Sequence, residues 1–374
     1  MSERDTYELF LVAAPGLEGD LAREAEALGL GGAAAVPGGV TAEGGWPEIW
    51  RANLQLRCAS RVLVRVASFR APHLAQLDKR ARKVAWDRIL RADLPVRVEV
   101  TCKRSRIYHQ GAAGERISRA ISETAGVAVA AEAAIVVKAR IEDDLCTISL
   151  DTSGEPLHRR GHKEAVGKAP LRETLAAAFL GRMGFDGSQA VVDPMCGSGT
   201  FPIEAAEIAA GLAPGRSRRF AFEDLASFDA AAWAGMRQGT PGKAAPGPRF
   251  FGFDRDDGAI RMGTENAARA GVADWTDFRR QAISDLQPPE GMAPGLVMVN
   301  PPYGARIGDR KLLFALYGTL GRVLSERFRG WRLGMVTSDA GLAKATGLSF
   351  LPPEPPVSLG GLKVTFYRTG PLGG

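Results

Sequence analysis

Apolar and polar residues alternate, or recur at helical spacing, along the first 155 residues. The alternation in residues 7–12 (YELFLV) predicts a β-strand, and the stripe of leucine and alanine in residues 16–29 predicts an amphipathic helix that ends at glycine. Residues 135–153 contain two strand-like segments around Asp143 and Asp144, which predicts a β-hairpin with these aspartates at its turn. Short strands interleaved with helices predict an α+β region.

After about residue 155 the pattern changes to apolar runs that are separated by loops and helices. The four runs are QAVVD (189–193), RFFGFD (249–254), GLVMVN (295–300) and WRLGMVTSD (331–339). Strands that alternate with helices predict a parallel, doubly wound α/β sheet, whose ligands lie beyond the carboxyl ends of the strands. Residues 211–249 are rich in Gly, Pro and Arg and predict an inserted lobe or a long loop.

Composition narrows the class of protein. The 374 residues, 45% of them hydrophobic, suffice for two domains with cores of their own. The four cysteines are far apart and the four histidines do not pair at ligand spacing, so we expect neither disulfides nor a metal site. The sequence contains no apolar run of bilayer length and no secretory signal at its N-terminus, which predicts a cytoplasmic protein without membrane association.

Charge is segregated along the chain. Residues 57–119 carry sixteen Lys and Arg against five Asp and Glu, a net charge of +11, whereas residues 1–56 carry three against nine, a net charge of −6. A basic segment of this kind is typical of surfaces that bind phosphate backbones, and a solvated surface without a partner is the alternative.

Trp50 and Trp86 are predicted to belong to the core.

The first apolar run of the second half leads into a glycine loop. Asp193 ends the predicted strand, and Gly197 and Gly199 precede the predicted helix. Glycines in this position allow the backbone to approach a ligand closely. The dinucleotide fingerprint would require a third glycine where Pro202 stands, and no G-x-x-x-x-G-K-[ST] segment is present. The loop therefore predicts a different ligand.

The second run ends in an acidic residue, Asp254, at the predicted strand tip. An acid in this position commonly binds a ribose diol, whereas Asp256 and Asp257 are predicted to cap the next helix. One acid beside the glycine loop and another at a ribose suit a ligand that has both an ammonium group and an adenosine. S-adenosylmethionine has both.

The third run is followed by Asn300, Pro301, Pro302 and Tyr303. Two adjacent prolines cannot continue a strand ladder or a helix, so the chain must turn at this point. The turn places an amide and an aromatic face together, which favours a flat, polar-edged ligand such as a nucleobase. A simple strand-ending turn is the alternative reading.

Three segments resemble class I S-adenosylmethionine-dependent methyltransferases that modify exocyclic amino groups: DPMCGSGT (193–200), FGFDRDDGAI (251–260) and NPPYGARIG (300–308). Further segments, among them SRIYHQGAAGERI (105–117) and LDTSGEPLHRRGHKEAVGKAPLRETLAAAFL (150–180), resemble bacterial THUMP-domain methyltransferases related to the 23S rRNA guanine-N2 methyltransferase. The likeness covers nearly the whole chain.

The resemblance implies three regions. These are a ferredoxin-like region (1–56), a THUMP RNA-binding domain (57–155) and a Rossmann-like class I methyltransferase domain (156–374) with an insertion at 211–249. It also implies methyl transfer from S-adenosylmethionine to guanine N2. The largest relatives of this family carry a second methyltransferase domain, for which we expect no room in this chain.

The resemblance also assigns residues to roles. The implied cofactor residues are Lys168, Pro170, Leu171, Asp193, Gly197, Gly199 and Asp254. The implied substrate-amine residues are Asn300, Pro301, Pro302 and Tyr303. Relatives often carry an aspartate near the adenine amino group, where this chain has Ala282, and Asp285 or a backbone carbonyl is expected to substitute. The predicted phosphate contacts are Arg104, Arg106, Tyr108 and His109, together with DKRARK (78–83).

The leading hypothesis is a guanine-N2 methyltransferase of 23S rRNA. A tRNA guanine-N2 methyltransferase would use the same two halves, and an adenine-N6 DNA methyltransferase would use the same NPPY chemistry. A non-catalytic RNA-binding assembly factor is the alternative of another class, disfavoured because the cofactor and substrate motifs are intact.

Overall fold

Two seven-stranded sheets organise the described residues of the computed structural model, which are 6–164, 171–238, 242–243, 249–303 and 310–373. The chain divides into two units. Unit 1 comprises Met1–Ala13, Leu21–Leu157 and Arg218–Gly239, and unit 2 comprises Ala14–Asp20, His158–Ser217 and Thr240–Gly374. No helix in the described part of the chain is long and apolar enough to cross a membrane.

The sheet of unit 1 has the strand order β2-β3-β1-β4-β7-β6-β5. The strands are β1 (Tyr7–Val12), β2 (Gly31–Val36), β3 (Gly39–Gly44), β4 (Arg61–Arg70), β5 (Val96–Lys103), β6 (Ile135–Glu142) and β7 (Leu145–Asp151). The helices that accompany it are α1 (Glu18–Ala27), α2 (Trp46–Gln55), α3 (Leu74–Ala81) and α4 (Gln110–Ala125). Neighbouring strands run antiparallel except β5 and β6, which are parallel.

The predicted hairpin is confirmed. Strands β6 and β7 pair antiparallel, and Asp143 (φ +50°) and Asp144 (φ +62°) form the two-residue turn between them. Two consecutive left-handed residues match the twist of a tight hairpin, and aspartate tolerates this backbone better than most side chains. Strands β1 and β4, which precede and follow residue 56 in the sequence, are neighbours in one sheet. The domain boundary at residue 56 stays a prediction.

Part of the stretch 211–249 folds within unit 1. Residues Ala230–Gln238 form α7, and the ring of Trp50 lies 6.1 Å from that of Phe222 and 6.5 Å from that of Trp233. Trp50 and Trp86 are both buried, as predicted. Aromatic side chains of the stretch, rather than its many polar residues, therefore decide where it packs.

The sheet of unit 2 has the strand order β10-β9-β8-β11-β12-β14-β13. The strands are β8 (Val191–Asp193), β9 (Phe250–Asp254), β10 (Thr276–Arg280), β11 (Leu296–Val299), β12 (Arg332–Thr337), β13 (Val357–Leu359) and β14 (Leu362–Arg368). The helices are α5 (Glu173–Arg182), α6 (Thr200–Ala209), α8 (Asp257–Arg269), α9 (Arg310–Arg327) and α10 (Ala340–Ala345).

Strands β8 to β12 are parallel, and β14 joins β12 antiparallel. The predicted doubly wound α/β fold is thus confirmed. One correction concerns β10, which the apolar pattern did not predict and which makes the run before Asn300 the fourth strand rather than the third. The strand order reverses between β8 and β11, so a crevice for a ligand is expected where these two strands end.

The core of unit 2 explains why β11 is wholly apolar. All four of its residues are buried, because helices cover a parallel sheet on both faces. On one face, Leu320 and Leu324 of α9, with Phe328 directly after the helix, belong to the core that covers the sheet. This packing fixes the end of β11, where Asn300 follows.

Three glycines surround the ring of Phe278 in β10. A Cβ atom at Gly199, Gly252 or Gly263 would approach this ring more closely than packed atoms allow. These glycines lie before α6, in β9 and in α8, so all three elements approach β10 at one place. The absence of three side chains therefore makes room for one ring.

We expect Gly263→Ala to lower the free energy of unfolding by about 1–3 kcal/mol, because the new methyl group overpacks against Phe278. Helix propensity alone would favour alanine at this position in α8 by up to about 1 kcal/mol, so the sign of the change is diagnostic. The matched control is Gly181→Ala in α5, where a Cβ meets open space and alanine should stabilise. Urea unfolding of both variants measures the difference, and stabilisation by both would contradict the tight niche.

Candidate active site

The loop between β8 and α6 lies at the carboxyl edge of the parallel strands. Gly197 (φ +51°) and Gly199 (φ +84°) both have a left-handed backbone that other residues rarely adopt. Open space surrounds the position of a Cβ at Gly197, whereas the ring of Phe278 occupies it at Gly199. Gly197 therefore leaves the loop open to a ligand, and Gly199 allows α6 to pack.

The carboxylate of Asp254 joins the end of β9 to this loop. Its Oδ2 accepts a hydrogen bond from the Gly197 N–H at 3.1 Å, and its Oδ1 accepts one from the Asp256 N–H at 3.0 Å. Asp254 remains partly exposed. Asp256 in turn accepts from the Gly258 N–H at 2.7 Å and caps α8, as predicted.

Asp193 is a buried carboxylate at the tip of β8. Its Oδ1 accepts a hydrogen bond from the Met195 N–H at 3.1 Å, and no cation pairs with it among the described residues. Burial raises the pKa of Asp193 well above its ordinary value, and the nearby charge of Asp254 raises it further. A cationic ligand group beside Asp193 would stabilise its charged form.

Sequence reasoning missed Asn266, which supports the glycine loop from α8. The side chain is fully buried, and its Nδ2 donates a hydrogen bond to the carbonyl of Ser198 at 3.0 Å. A buried amide must find partners, and this one fixes a peptide between the two loop glycines. The available signal was a polar residue on the apolar face of an amphipathic helix.

Of the three residues predicted to line the cofactor site before α5, Leu171 is buried, and Lys168 and Pro170 lie outside the described residues. The Nζ of Lys163 donates to the carbonyl of Leu171 at 3.3 Å and to the Oγ1 of Thr200 at 2.8 Å. Thr200 is the first residue of α6. Lys163 therefore links this segment to the helix that follows the glycine loop.

Buried charges surround the inner face of α6. Its Glu204 lies 3.5 Å from Arg160, and its Glu207 lies 2.6 Å from Arg216 and 3.6 Å from the Nε2 of His162. Burial lowers the pKa of His162 to about 4, so the imidazole is neutral near pH 7. The helix that carries the glycine loop is thus held by ionic contacts in addition to apolar packing.

The NPPY segment follows β11, beside the end of β8. The Oδ1 atom of Asn300 is buried, and no described residue donates a hydrogen bond to it. Pro301 is buried, and Tyr303 packs partly buried against the core of unit 2. Burial raises the pKa of Tyr303 to about 12, so its hydroxyl is neutral near pH 7. The site thus presents an unused acceptor and an aromatic ring.

Asp285, predicted to contact adenine, lies in a short 3-10 turn (Ile283–Asp285) after β10. Its side chain is exposed and accepts a hydrogen bond from the Oγ of Ser284 at 3.2 Å. The N–H of Gln281 donates to the carbonyl of Asp254 at 2.8 Å, so the segment that leads to the turn is tied to the end of β9. The role of Asp285 toward adenine stays a prediction.

The predicted phosphate contacts lie in unit 1, where acidic residues accompany two of them. Arg104 pairs with Glu142 at 2.7 Å and with Asp143 at 3.0 Å, and Arg106 lies 3.6 Å from Asp144. Glu142 ends β6, and Asp143 and Asp144 form the turn that follows it. These pairs reduce the positive charge that Arg104 and Arg106 present to a phosphate.

Tyr108 and His109 lie just before α4. Tyr108 is 83% exposed, and the Nδ1 of His109 caps the helix by accepting a hydrogen bond from the Ala112 N–H at 3.1 Å. Their roles in RNA binding also stay predictions. No His, Cys, Asp and Glu cluster that could hold a metal ion occurs among the residues that the structure describes.

We expect His162→Gln to flatten the pH dependence of the free energy of unfolding between about pH 6.5 and 4. In this window the unfolded chain binds a proton that the buried imidazole refuses, so acidification destabilises the wild type by up to about 1.4 kcal/mol per pH unit. Urea unfolding at several pH values measures the slope. Burial also lowers the pKa of His158 to about 4. Because His158 is present in both proteins, its contribution to the slope is the same in each. The control is His73→Gln at an exposed position, and parallel profiles of His162→Gln and wild type would refute the assignment.

Comparison with known families supports the assignment of both halves. Residues 160–351 match the family described as "RMKL-like, methyltransferase domain", and residues 8–63 match the "RlmL ferredoxin-like domain". The first match spans just over half of the chain and contains the glycine loop, Asp254 and the NPPY segment. The resemblance inferred from the sequence is confirmed for these regions, and the THUMP assignment stays a prediction.

The chain is similar to named proteins over most of its length. It is 36% identical over 91% of its residues to the "Ribosomal RNA large subunit methyltransferase K/L" of Syntrophotalea carbinolica, of which it covers 50%. It is 31% identical over 97% of its residues to the "Putative RNA methyltransferase slr0064" of Synechocystis sp., of which it covers 96%. The chain thus spans about half the length of the K/L relatives it matches.

Solved structures share the fold. The structure of SMU.472 in complex with SAH superposes with a TM-score of 0.87 at 26% identity and covers 99% of both chains. The chain belongs to the RMKL-like methyltransferase family.

Proposed function

We propose that this protein is an S-adenosylmethionine-dependent RNA methyltransferase that transfers a methyl group to the exocyclic N2 of guanine, with 23S rRNA as its substrate. The observation that carries the proposal is the buried Oδ1 of Asn300, to which none of the described residues donates a hydrogen bond, at the strand end beside the glycine loop. The rRNA substrate is supported by the K/L relatives, and guanine N2 by the resemblance of the motifs.

The donor set fits S-adenosylmethionine, which supplies an electrophilic methyl group on sulfur when bound. The buried carboxylate of Asp193 has no cationic partner among the described residues and suits an ammonium group. Asp254 is partly exposed and can accept hydrogen bonds from a ribose diol, while Gly197 leaves space beside it. The complex of SMU.472 with SAH, the demethylated product of this cofactor, supports the same choice.

The reaction requires orientation of a poor nucleophile. The lone pair of an exocyclic amino nitrogen is delocalised into the ring, and acceptors that hold its N–H groups turn the lone pair toward the methyl group. The Oδ1 of Asn300 and the carbonyl of Pro301 are the proposed acceptors, and they also stabilise positive charge as it develops. The methylated nitrogen is strongly acidic and releases its extra proton to solvent after transfer, so the motif needs no strong general base, and the contribution of these residues is alignment.

Tyr303 would stack on the flipped base. Its ring is held at one side by the core of unit 2, and stacking on an aromatic side chain contributes about 1–3 kcal/mol per base. Because burial raises the pKa of Tyr303 to about 12, the ring stays a neutral stacking surface over the physiological pH range. Its role is therefore to position the base rather than to exchange a proton.

Helix α3 is the basic surface that best suits phosphates. Lys79 and Arg80 of this helix and Lys83, two residues after its end, are exposed, and none of them forms an ion pair with a described residue. Arg82, which lies between them in the sequence, pairs with Glu123 at 2.7 Å. A cation without an acidic partner can neutralise a phosphate and release the counterion bound to it. We therefore assign contacts with the RNA backbone to these three residues rather than to Arg104 and Arg106, which acids accompany.

Methyl transfer is expected to purified 23S rRNA from a strain that lacks the gene, with N2-methylguanosine as the product in nucleoside mass spectrometry. Bulk tRNA and duplex DNA are tested in parallel. Product in tRNA alone would overturn the substrate, and N6-methyladenine in DNA would overturn the base.

We expect Asn300→Ala to lower turnover more than about 100-fold while binding of SAH, measured by calorimetry, persists. Full activity of this variant would contradict the mechanism.

We expect neutralisation of Lys79, Arg80 and Lys83 to glutamine to reduce the slope of log K against log salt by about 2, as expected for three lost phosphate contacts on single-stranded RNA. The control neutralises Arg104 and Arg106, which should change the slope less per removed charge because acids accompany both. Filter binding of 23S rRNA between 50 and about 300 mM salt measures both slopes. A larger change in the control would move the contacts to the loop before α4.

A further inference from the structure

Tyr317 of α9 connects the NPPY segment to the next strand of the sheet. Its side chain is fully buried, yet its hydroxyl lies 3.3 Å from the carbonyl of Pro302 and 3.3 Å from the Oγ1 of Thr337. Thr337 ends β12 and is also fully buried. A phenylalanine would fill the same volume without a polar group to satisfy, so the hydroxyl calls for an explanation.

The direction of these hydrogen bonds follows from the groups at the two ends. The Asp339 N–H donates to the Oγ1 of Thr337 at 3.2 Å. Tyr317 has one hydroxyl proton, so it donates to one of its two neighbours, Pro302 and Thr337, and accepts from the other. The carbonyl of Pro302 can only accept, so the proton of Tyr317 points to it. Burial raises the pKa of Tyr317 above its ordinary value, which keeps this proton in place. The chain therefore has one polarity from Asp339 to Pro302.

The end point of the chain matters because of peptide geometry. The carbonyl of Pro302 and the N–H of Tyr303 belong to one planar peptide group. A hydrogen bond that fixes the carbonyl also fixes the plane from which the side chain of Tyr303 departs.

We propose that Tyr317 is a positioning residue, which orients the Pro302–Tyr303 peptide, and with it the base-stacking ring, through the hydrogen-bonded chain Asp339–Thr337–Tyr317–Pro302. This inference rests on the proposed function for its effect on turnover, but not for its effect on Tyr303. Thr337 acts one step further from the site. The two residues should therefore behave as one unit when they are replaced.

The kinetic test uses the full-length protein with Tyr317→Phe, Thr337→Val, the double variant and the conservative Thr337→Ser. We expect kcat on RNA to fall about tenfold in Tyr317→Phe, with the Kd of SAH and the thermal midpoint close to wild type. The double variant should lose no more than the larger single loss, and Thr337→Ser should match wild type. Wild-type kcat in Tyr317→Phe, equal losses of kcat and SAH affinity, or losses that multiply in the double variant would each overturn the proposal.

A second readout needs no substrate. The chain has five tyrosines, so incorporation of 3-fluorotyrosine gives a simple fluorine NMR spectrum in which Tyr303 is assigned by Tyr303→Phe. We expect the Tyr303 resonance to shift or broaden in Thr337→Val, which leaves Tyr317 in place, and to stay unchanged in Thr337→Ser. An unmoved resonance in Thr337→Val would overturn the positioning role. If the resonance moves but the wild type methylates no RNA, the proposed function fails and the positioning role stands.

Discussion

The ring of Phe278 is the spacer on which the position of the glycine loop depends. Gly199, Gly252 and Gly263 surround it, and the missing side chains let the start of α6, the strand β9 and the helix α8 converge on β10. At this separation the glycine loop before α6 reaches the carboxylate at the end of β9, and the Gly197 N–H donates to Asp254 at 3.1 Å. The shape of the glycine loop therefore depends on packing beneath it as much as on its own glycines.

A second constraint is the burial of charge around α6. Burying ion pairs costs desolvation energy that their attraction only partly offsets, so such pairs are weak evidence for stability. They are directional, however, and each of the pairs of Glu204 and Glu207 fixes the helix against a residue outside it. Lys163 adds a contact to Thr200, the first residue after the glycine loop. These contacts set the rotation and position of α6, which apolar packing alone would leave less defined.

The sequence predicted many of the local elements, because these depend on neighbouring residues. The turn at Asp143 and Asp144 and the cap at Asp256 follow from backbone preferences a few residues long. It did not predict β10, whose sequence TDFRR is mostly polar and belongs to an edge strand of the sheet. It also could not reveal that Arg104 pairs with Glu142, since 38 residues separate them along the chain.

The same distinction explains how much of the site a motif can specify. The NPPY segment contains an acceptor and an aromatic ring. Its two prolines have no N–H to donate, so they cannot hold the turn by donating backbone hydrogen bonds. The turn is held from outside, by Tyr317 on α9 and Thr337 on β12, and neither residue belongs to a recognisable motif. Residues that perform chemistry must have particular functional groups and so leave a pattern in the sequence. Residues that orient them need only the right position in the fold, and that position becomes visible only in three dimensions.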